Sequence, residues 1–127
     1  MPSAREEMVR TMCAQVDSGD AAGFAQWFAA DATYRFANEP ALAGRSAIEA
    51  ATAGAAGVLP WVRHSIDQVA EIGDQLFCRF TIHTVAPTGA ALAMPCVTVI
   101  DLVDDEIVDY RVHMDITPAL PRKVAAV

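Results

Sequence analysis

The stretch Met94–Asp115, MPCVTVIDLVDDEIVDYRVHMD, decides the fold. It reads as two long strands folded back on each other at Asp104-Asp105. In its second half Val108, Tyr110, Val112 and Met114 alternate with Asp109, Arg111, His113 and Asp115. A period of two separates an apolar face from a polar one, as expected for a strand with one side on a core.

Working upstream, the same period holds back to Trp61. Four strands are predicted, at Trp61–Ile72, Gln75–Val85, Ala91–Val103 and Ile107–Ile116, joined by turns at Gly73-Asp74, Pro87-Thr88-Gly89 and Asp104-Asp105. Before Trp61 the pattern is helical. Ser3-Ala4-Arg5-Glu6 fits a capping box, and Met8, Val9, Met12, Cys13 and Val16 form one apolar stripe ending near Asp17. Ser18-Gly19-Asp20 breaks this helix and caps a second, with Phe24, Trp27 and Phe28 on one face. Ala32–Ala37 reads as a short strand leaving through a turn at Asn38-Glu39-Pro40. Ser46-Ala47-Ile48-Glu49 opens a third helix, which Gly54 and Gly57 end. Helices first and a meander of strands afterwards predict an α+β domain, with a curved antiparallel sheet wrapped around three N-terminal helices. Residues 1–117 form this domain, and 118–127 a tail expected to be mobile.

With 127 residues the chain is long enough for one domain with its own core. Hydrophobic residues make up 54% and charged residues only 20%, an apolar excess that points to a lined cavity, a subunit interface or both. The net charge of -7, with Lys123 the only lysine, leaves no basic stripe for a phosphate backbone, so nucleic acid and anionic membranes are not expected partners. Cys13, Cys78 and Cys96 are widely spaced and odd in number, which reads as reduced, buried thiols in a cytoplasmic protein. Arg5, Glu6 and Glu7 stand where the apolar part of a secretion signal would begin. Gly-rich phosphate loops, a nucleophile elbow and zinc-type spacings are absent from the sequence, so neither a cofactor nor a metal is expected.

The phrases Val16-Asp17-Ser18-Gly19-Asp20, Phe28-Ala29-Ala30-Asp31-Ala32-Thr33-Tyr34, Gly44-Arg45-Ser46-Ala47-Ile48 and Glu106-Ile107-Val108-Asp109-Tyr110-Arg111, in this order, resemble the SnoaL-like branch of the nuclear transport factor 2-like superfamily. The resemblance implies a cone-shaped barrel with a hydrophobic cavity between helices and sheet, and a homodimer formed through the outer face of the sheet. It leaves open polyketide cyclase, isomerase, hydrolase and dehydratase activities, and members without chemistry.

Compared with particular enzymes of the superfamily, the match is partial. The catalytic Tyr and general base of ketosteroid isomerases fall near Met12 and near Arg35 or Phe36 here; their protonated Asp has a counterpart in Asp101, or, counting back from the hairpin turn, falls at Val97. Tyr34, Asn38 and Arg79 resemble the polar ligand-binding set of limonene epoxide hydrolases, whose two carboxylates are replaced by Thr81 and Val112. His64 stands where scytalone dehydratase-like members carry a His, and Asp115 where SnoaL-type cyclases carry an Asp.

Two readings follow. In the first, His64, Asp115 and Asp101 are catalytic acids and bases acting without a cofactor on a small apolar cyclic metabolite, with Tyr34, Asn38, Arg79, Trp27, Tyr110 and Met114 around it. Along its strand His64 shares a face with Val62, Ile66, Ala70 and Ile72, so the imidazole points into apolar surroundings. In the second, the chain is a non-catalytic binding or dimerisation module. Its His64 is then satisfied by the backbone, and Asp101 and Asp115 face water.

Overall fold

A computed structural model describes residues 2–55 and 61–121. The elements run α1 (Ala4–Ser18), α2 (Ala21–Ala25), β1 (Phe28–Phe36), β2 (Leu42–Ala43), α3 (Arg45–Ala55), β3 (Arg63–Ile72), β4 (Gln75–Val85), β5 (Ala91–Val103), β6 (Glu106–His113) and a 3-10 turn, Thr117–Ala119. One sheet has the order β2-β1-β6-β5-β4-β3. It is mixed where an antiparallel sheet was expected, because β1 runs parallel to β6. The α+β class and the cone with its helices on one face stand.

The hairpin forms where its pattern predicts, but its register shifts between Asp101 and Leu102, so Val108 is an extra residue and Ile107, rather than Val108, shares the core side with Tyr110 and Val112. Asp104 (φ 49°) and Asp105 (φ 62°) both take the left-handed conformation that a two-residue turn between twisted strands requires. Cys96, Thr98, Ile100 and Leu102 on β5, with Tyr110 and Val112 on β6, are buried on the inner face.

Helix α1 starts at Ser3, whose hydroxyl accepts from the amide of Glu6 at 3.1 Å. It stops at Gly19 (φ 79°), where the Asp20 amide reaches back to the carbonyl of Gln15 at 2.8 Å. Its buried face, Met8, Val9, Met12 and Cys13, lies on the sheet. Arg5 fastens its first turn to the β3–β4 turn by bonds of 2.8 Å to the Gly73 carbonyl and to Asp74.

Helix α2 ends earlier than the spacing of Phe24, Trp27 and Phe28 predicts. The carbonyl of Trp27 accepts from the amide of Ile107 at 3.0 Å, which draws the backbone onto β6 and makes Phe28 the first residue of β1. Helix α3 begins one residue before its predicted cap, after Gly44 (φ 97°), and Gly57 lies outside the described residues. The tail beyond 121 lies outside them as well.

The largest departure is in β3. Its register with β4 shifts between Ile66 and Gln68, so Asp67 is an extra residue. A bulge exchanges the two faces beyond it. His64 and Ile66 face the core as expected, but Val69 replaces Ala70 there, and Ile72 is 66% exposed. No helix is long and apolar enough to cross a membrane among the described residues.

Candidate functional site

The expected cavity region is occupied by Met8, Met12, Phe24, Phe28, Ile48 and Phe80, with the three thiols and two tyrosines among them. Among the described residues, concavities sit outside this core. One, of about 230 Å³, lies on the outer face of the sheet against Gln68, Phe77, Arg79 and Val97. Another, of about 340 Å³, lies beside α1 and α2 against Gln15, Gly23, Gln26 and Trp27.

On the core side of the cone, an aspartate–histidine contact links a helix to the sheet. Asp17 is in the last turn of α1, four residues after the buried Cys13, and successive side chains at that spacing share a helix face. His64 is at the start of β3 on the inner face, opposite Ile82. The imidazole Nδ1 lies 2.6 Å from Asp17 Oδ1, and the backbone amide of His64 donates to Asp17 Oδ2 at 2.9 Å. The two side chains are 12% and 22% exposed.

Since a carboxylate only accepts, this contact puts the proton of a neutral imidazole on Nδ1 and leaves a lone pair on Nε2. The ring packs edge-on against Phe80, with centroids 5.4 Å apart. Such a dyad can take a proton at Nε2 and hold the resulting positive charge beside Asp17.

A second group lies deeper. Cys13 on α1, Cys78 on β4 and Cys96 on β5 are all buried and free. Burial pushes the Cys13 thiol up to about 12, helped by Asp17 and by the other two thiols. Burial likewise pushes Cys78 up to about 12, while Cys96 is raised by burial and partly drawn back by its contact with Thr98. Thiols held protonated are poor nucleophiles, in keeping with a packing role. Tyr34 is pushed up to about 12 by burial, with Cys96 adding, and Tyr110 well above its ordinary value by burial and then by Tyr34.

These shifts set an alkaline limit. Each group ionises in the unfolded chain near its ordinary value, 9.0 for the thiols and 10.0 for the phenols, but resists ionisation in the fold. The stability they contribute is complete below pH 9.0 and is lost as pH rises towards about 12. Urea unfolding should show a falling midpoint across this window, and a midpoint that stays level would contradict the burial of these groups.

The other candidates are dispersed. Asp101 is on the outer face, bonded to Gln75 Nε2 at 2.6 Å and to Arg111 at 3.3 Å. Asp115 is exposed, and its pKa is lowered by the Thr117 side chain and then by the Thr117 amide, which donates to it at 2.9 Å. Arg79 is exposed on the outer face, and Asn38 is exposed in the turn after β1. The structure therefore does not gather Asp101, Asp115, Asn38 or Arg79 around His64.

Trp27 is half-buried and donates to Gln15 Oε1 at 2.9 Å. Met114 is half-buried against the core. His83 bonds Ser65 at 2.8 Å on the outer face, and His113 is exposed, so the three histidines stay apart. Asp17 is the residue that reading the sequence missed as a partner for His64. Its only local signal is its spacing from Cys13, at the edge of the apolar stripe.

Three helices on one face of a six-stranded sheet, together with a family-model match, place the chain in the nuclear transport factor 2-like superfamily. The chain belongs to the SnoaL-like domain family, whose model matches residues 9–110.

Among solved structures, a protein with a ketosteroid isomerase-like fold from Catenulispora acidiphila DSM 44928, in complex with trimethylamine, superposes with a TM-score of 0.81 at 22% identity, covering 91% of this chain and 94% of the other. SalBIII, an epoxide hydrolase/cyclase-like enzyme in pyran ring formation in the polyether salinomycin, gives 0.75 at 18% identity over 92% and 95%. A protein from Jannaschia sp. CCS1 assigned by inference as a SnoaL-like polyketide cyclase gives 0.70 at 20% identity over 90% and 92%. These likenesses concern the fold. No curated protein matches the chain in sequence.

Proposed function

We propose that the protein is a cofactor-independent isomerase, cyclase or dehydratase that moves a proton on a small, largely apolar, cyclic metabolite. The observation that carries this reading is the Asp17–His64 pair. A core-side imidazole with its tautomer fixed and Nε2 left without a partner among the described residues has the form of a general base. Family membership and the cyclase and isomerase-like neighbours support the reaction class. The proton-moving role narrows to His64, with Asp17 as its positioning residue, because Asp101 and Asp115 are engaged outside the core.

Those outward carboxylates are also the observation that favours a second reading, a non-catalytic ligand-binding or dimerisation module. The two readings separate on one experiment. A thermal-shift screen of small cyclic metabolites identifies a ligand, since a true ligand raises the melting temperature, and turnover of that ligand is then compared in the native protein and His64→Ala. Loss of turnover supports catalysis, and a bound ligand that is never turned over sinks it.

The outer sheet face, where Val97 and Val103 are 38% and 55% exposed, is the surface proposed to pair two copies of the chain. Sedimentation at micromolar concentration should give twice the chain mass, and a monomer mass would refute the pairing.

A further inference from the structure

Because a bulged strand bends and twists more strongly, the outer face of the sheet dips where β3 runs beside β4 beyond Asp67. Ala70, paired with Phe77, gives the dip a small floor residue, and Gln68, paired with Arg79, stands next to it. Val97, the partner of Arg79 on β5, forms the far wall. The concavity measures about 230 Å³ and is on the opposite side of the sheet from His64. A cavity of about 150 Å³ takes a benzene ring, so this one has room for a single ring and a small polar group.

The lining is largely apolar, with one cation at the rim. Arg79 is exposed and has no carboxylate within ion-pair distance among the described residues, although the chain carries a net charge of -7. Aspartates of the same face are already engaged. Asp67 accepts from Thr81 at 2.7 Å, Asp101 accepts from Gln75 at 2.6 Å, and Asp109 lies 2.7 Å from Nε of Arg111. The guanidinium of Arg79 is left with free donors beside Ala70, Phe77 and Val97, where an apolar group finds cover from water.

We propose that this concavity is a second ligand site, for a small aromatic monocarboxylate. The ring covers Ala70, Phe77 and Val97, and the planar carboxylate meets the planar guanidinium of Arg79 through two parallel N–H···O bonds. Gln68 adds an amide donor beside them. One guanidinium balances one negative charge, so a phosphate dianion leaves charge uncompensated and a cation meets repulsion. Benzamide lacks the charge, and acetate lacks the ring. The site is independent of proton transfer at His64, since the sheet separates the two.

Benzoate, benzamide and acetate are titrated at low salt into the native protein, Arg79→Gln, Ala70→Leu and Arg10→Gln, with backbone amide shifts read by NMR. Benzoate should move the amides of Gln68, Ala70, Phe77, Arg79 and Val97, and should bind about fivefold or more tighter than either benzamide or acetate. Arg79→Gln should weaken benzoate about 3–10-fold and leave benzamide unchanged. Ala70→Leu fills the dip without touching the cation, and should weaken both ring compounds about tenfold. Arg10 is exposed on α1, across the sheet from the dip, so Arg10→Gln removes the same charge and should change nothing. Native benzoate affinity in Arg79→Gln, amide shifts centred elsewhere, or no binding of benzoate overturns the site. Absence of benzoate binding together with loss of a dimer in Arg79→Gln also overturns it, and gives the guanidinium to a second copy of the chain instead.

Discussion

His64→Ala is expected to lower turnover by about 10²–10⁴-fold, the usual contribution of a positioned general base. Asp17→Asn should cost nearly as much, for a reason that distinguishes chemistry from packing. The carboxylate accepts from both Nδ1 and the backbone amide of His64, so the imidazole proton sits on Nδ1. An asparagine that keeps its carbonyl on the amide turns its NH₂ towards Nδ1, and the ring must then accept there and carry its proton on Nε2. The ring stays in place with a donor where the base should be. The measurements are single-turnover rates and circular dichroism of the two variants with the ligand from the thermal-shift screen. Rates within twofold of the native protein in both would remove the mechanism. A folded Asp17→Asn variant with the His64→Ala rate is the expected result.

Phe28→Ala is expected to destabilise the domain by about 3–5 kcal/mol, in the range for deleting a buried aromatic side chain. Phe28 is fully buried, at 0% exposure, and its ring meets Phe24, Tyr34 and Tyr110. Its carbonyl takes two bonds from Arg45, at 2.9 and 2.7 Å, so the backbone stays pinned and cannot easily collapse into the space left. The cost should therefore fall towards the upper end of the range. Against a total stability of about 5–15 kcal/mol, the loss leaves a small domain marginal. Urea unfolding gives the figure, and the near-ultraviolet circular dichroism of the tyrosines should weaken in parallel because Phe28 fixes both rings. A loss below about 1 kcal/mol would show that the aromatic cluster is not packed as described.

Much of the architecture is legible along the chain because it depends on local period and local capping. The alternation in Met94–Asp115 reports the core-facing side chains of β5 and, from Tyr110 on, those of β6, while a bulge at Val108 puts Ile107 inside in its place, and Asp104-Asp105 supplies the turn. The Ser3 and Gly19 caps mark the ends of α1. Ambiguity begins where one apolar run suits two periods. Phe24, Trp27 and Phe28 fit a helix face, but the amide of Ile107, some eighty positions along the chain, claims the Trp27 carbonyl for a strand.

The site is less legible, since a partner is a matter of register and packing rather than of period. His64 points inward as its strand predicts, yet the carboxylate that meets it lies 47 positions away on α1. Asp101 and Asp115 look alike in sequence to any acid near a strand end, and only the neighbours Gln75, Arg111 and Thr117 show what each is engaged in. The bulge at Asp67 moves Ala70 and Ile72 off the core side, and no local signal announces it.

By itself, then, the sequence determines an α+β cone, an apolar interior with protonated thiols and an acidic surface, because burial and charge are summed over side chains already in hand. The tertiary structure alone decides that Asp17 orients His64 and that Tyr34 stands beside Tyr110. Both pairings are made across elements distant in the chain, one by a helix laid on a strand and the other by the parallel union of the first long strand with the last.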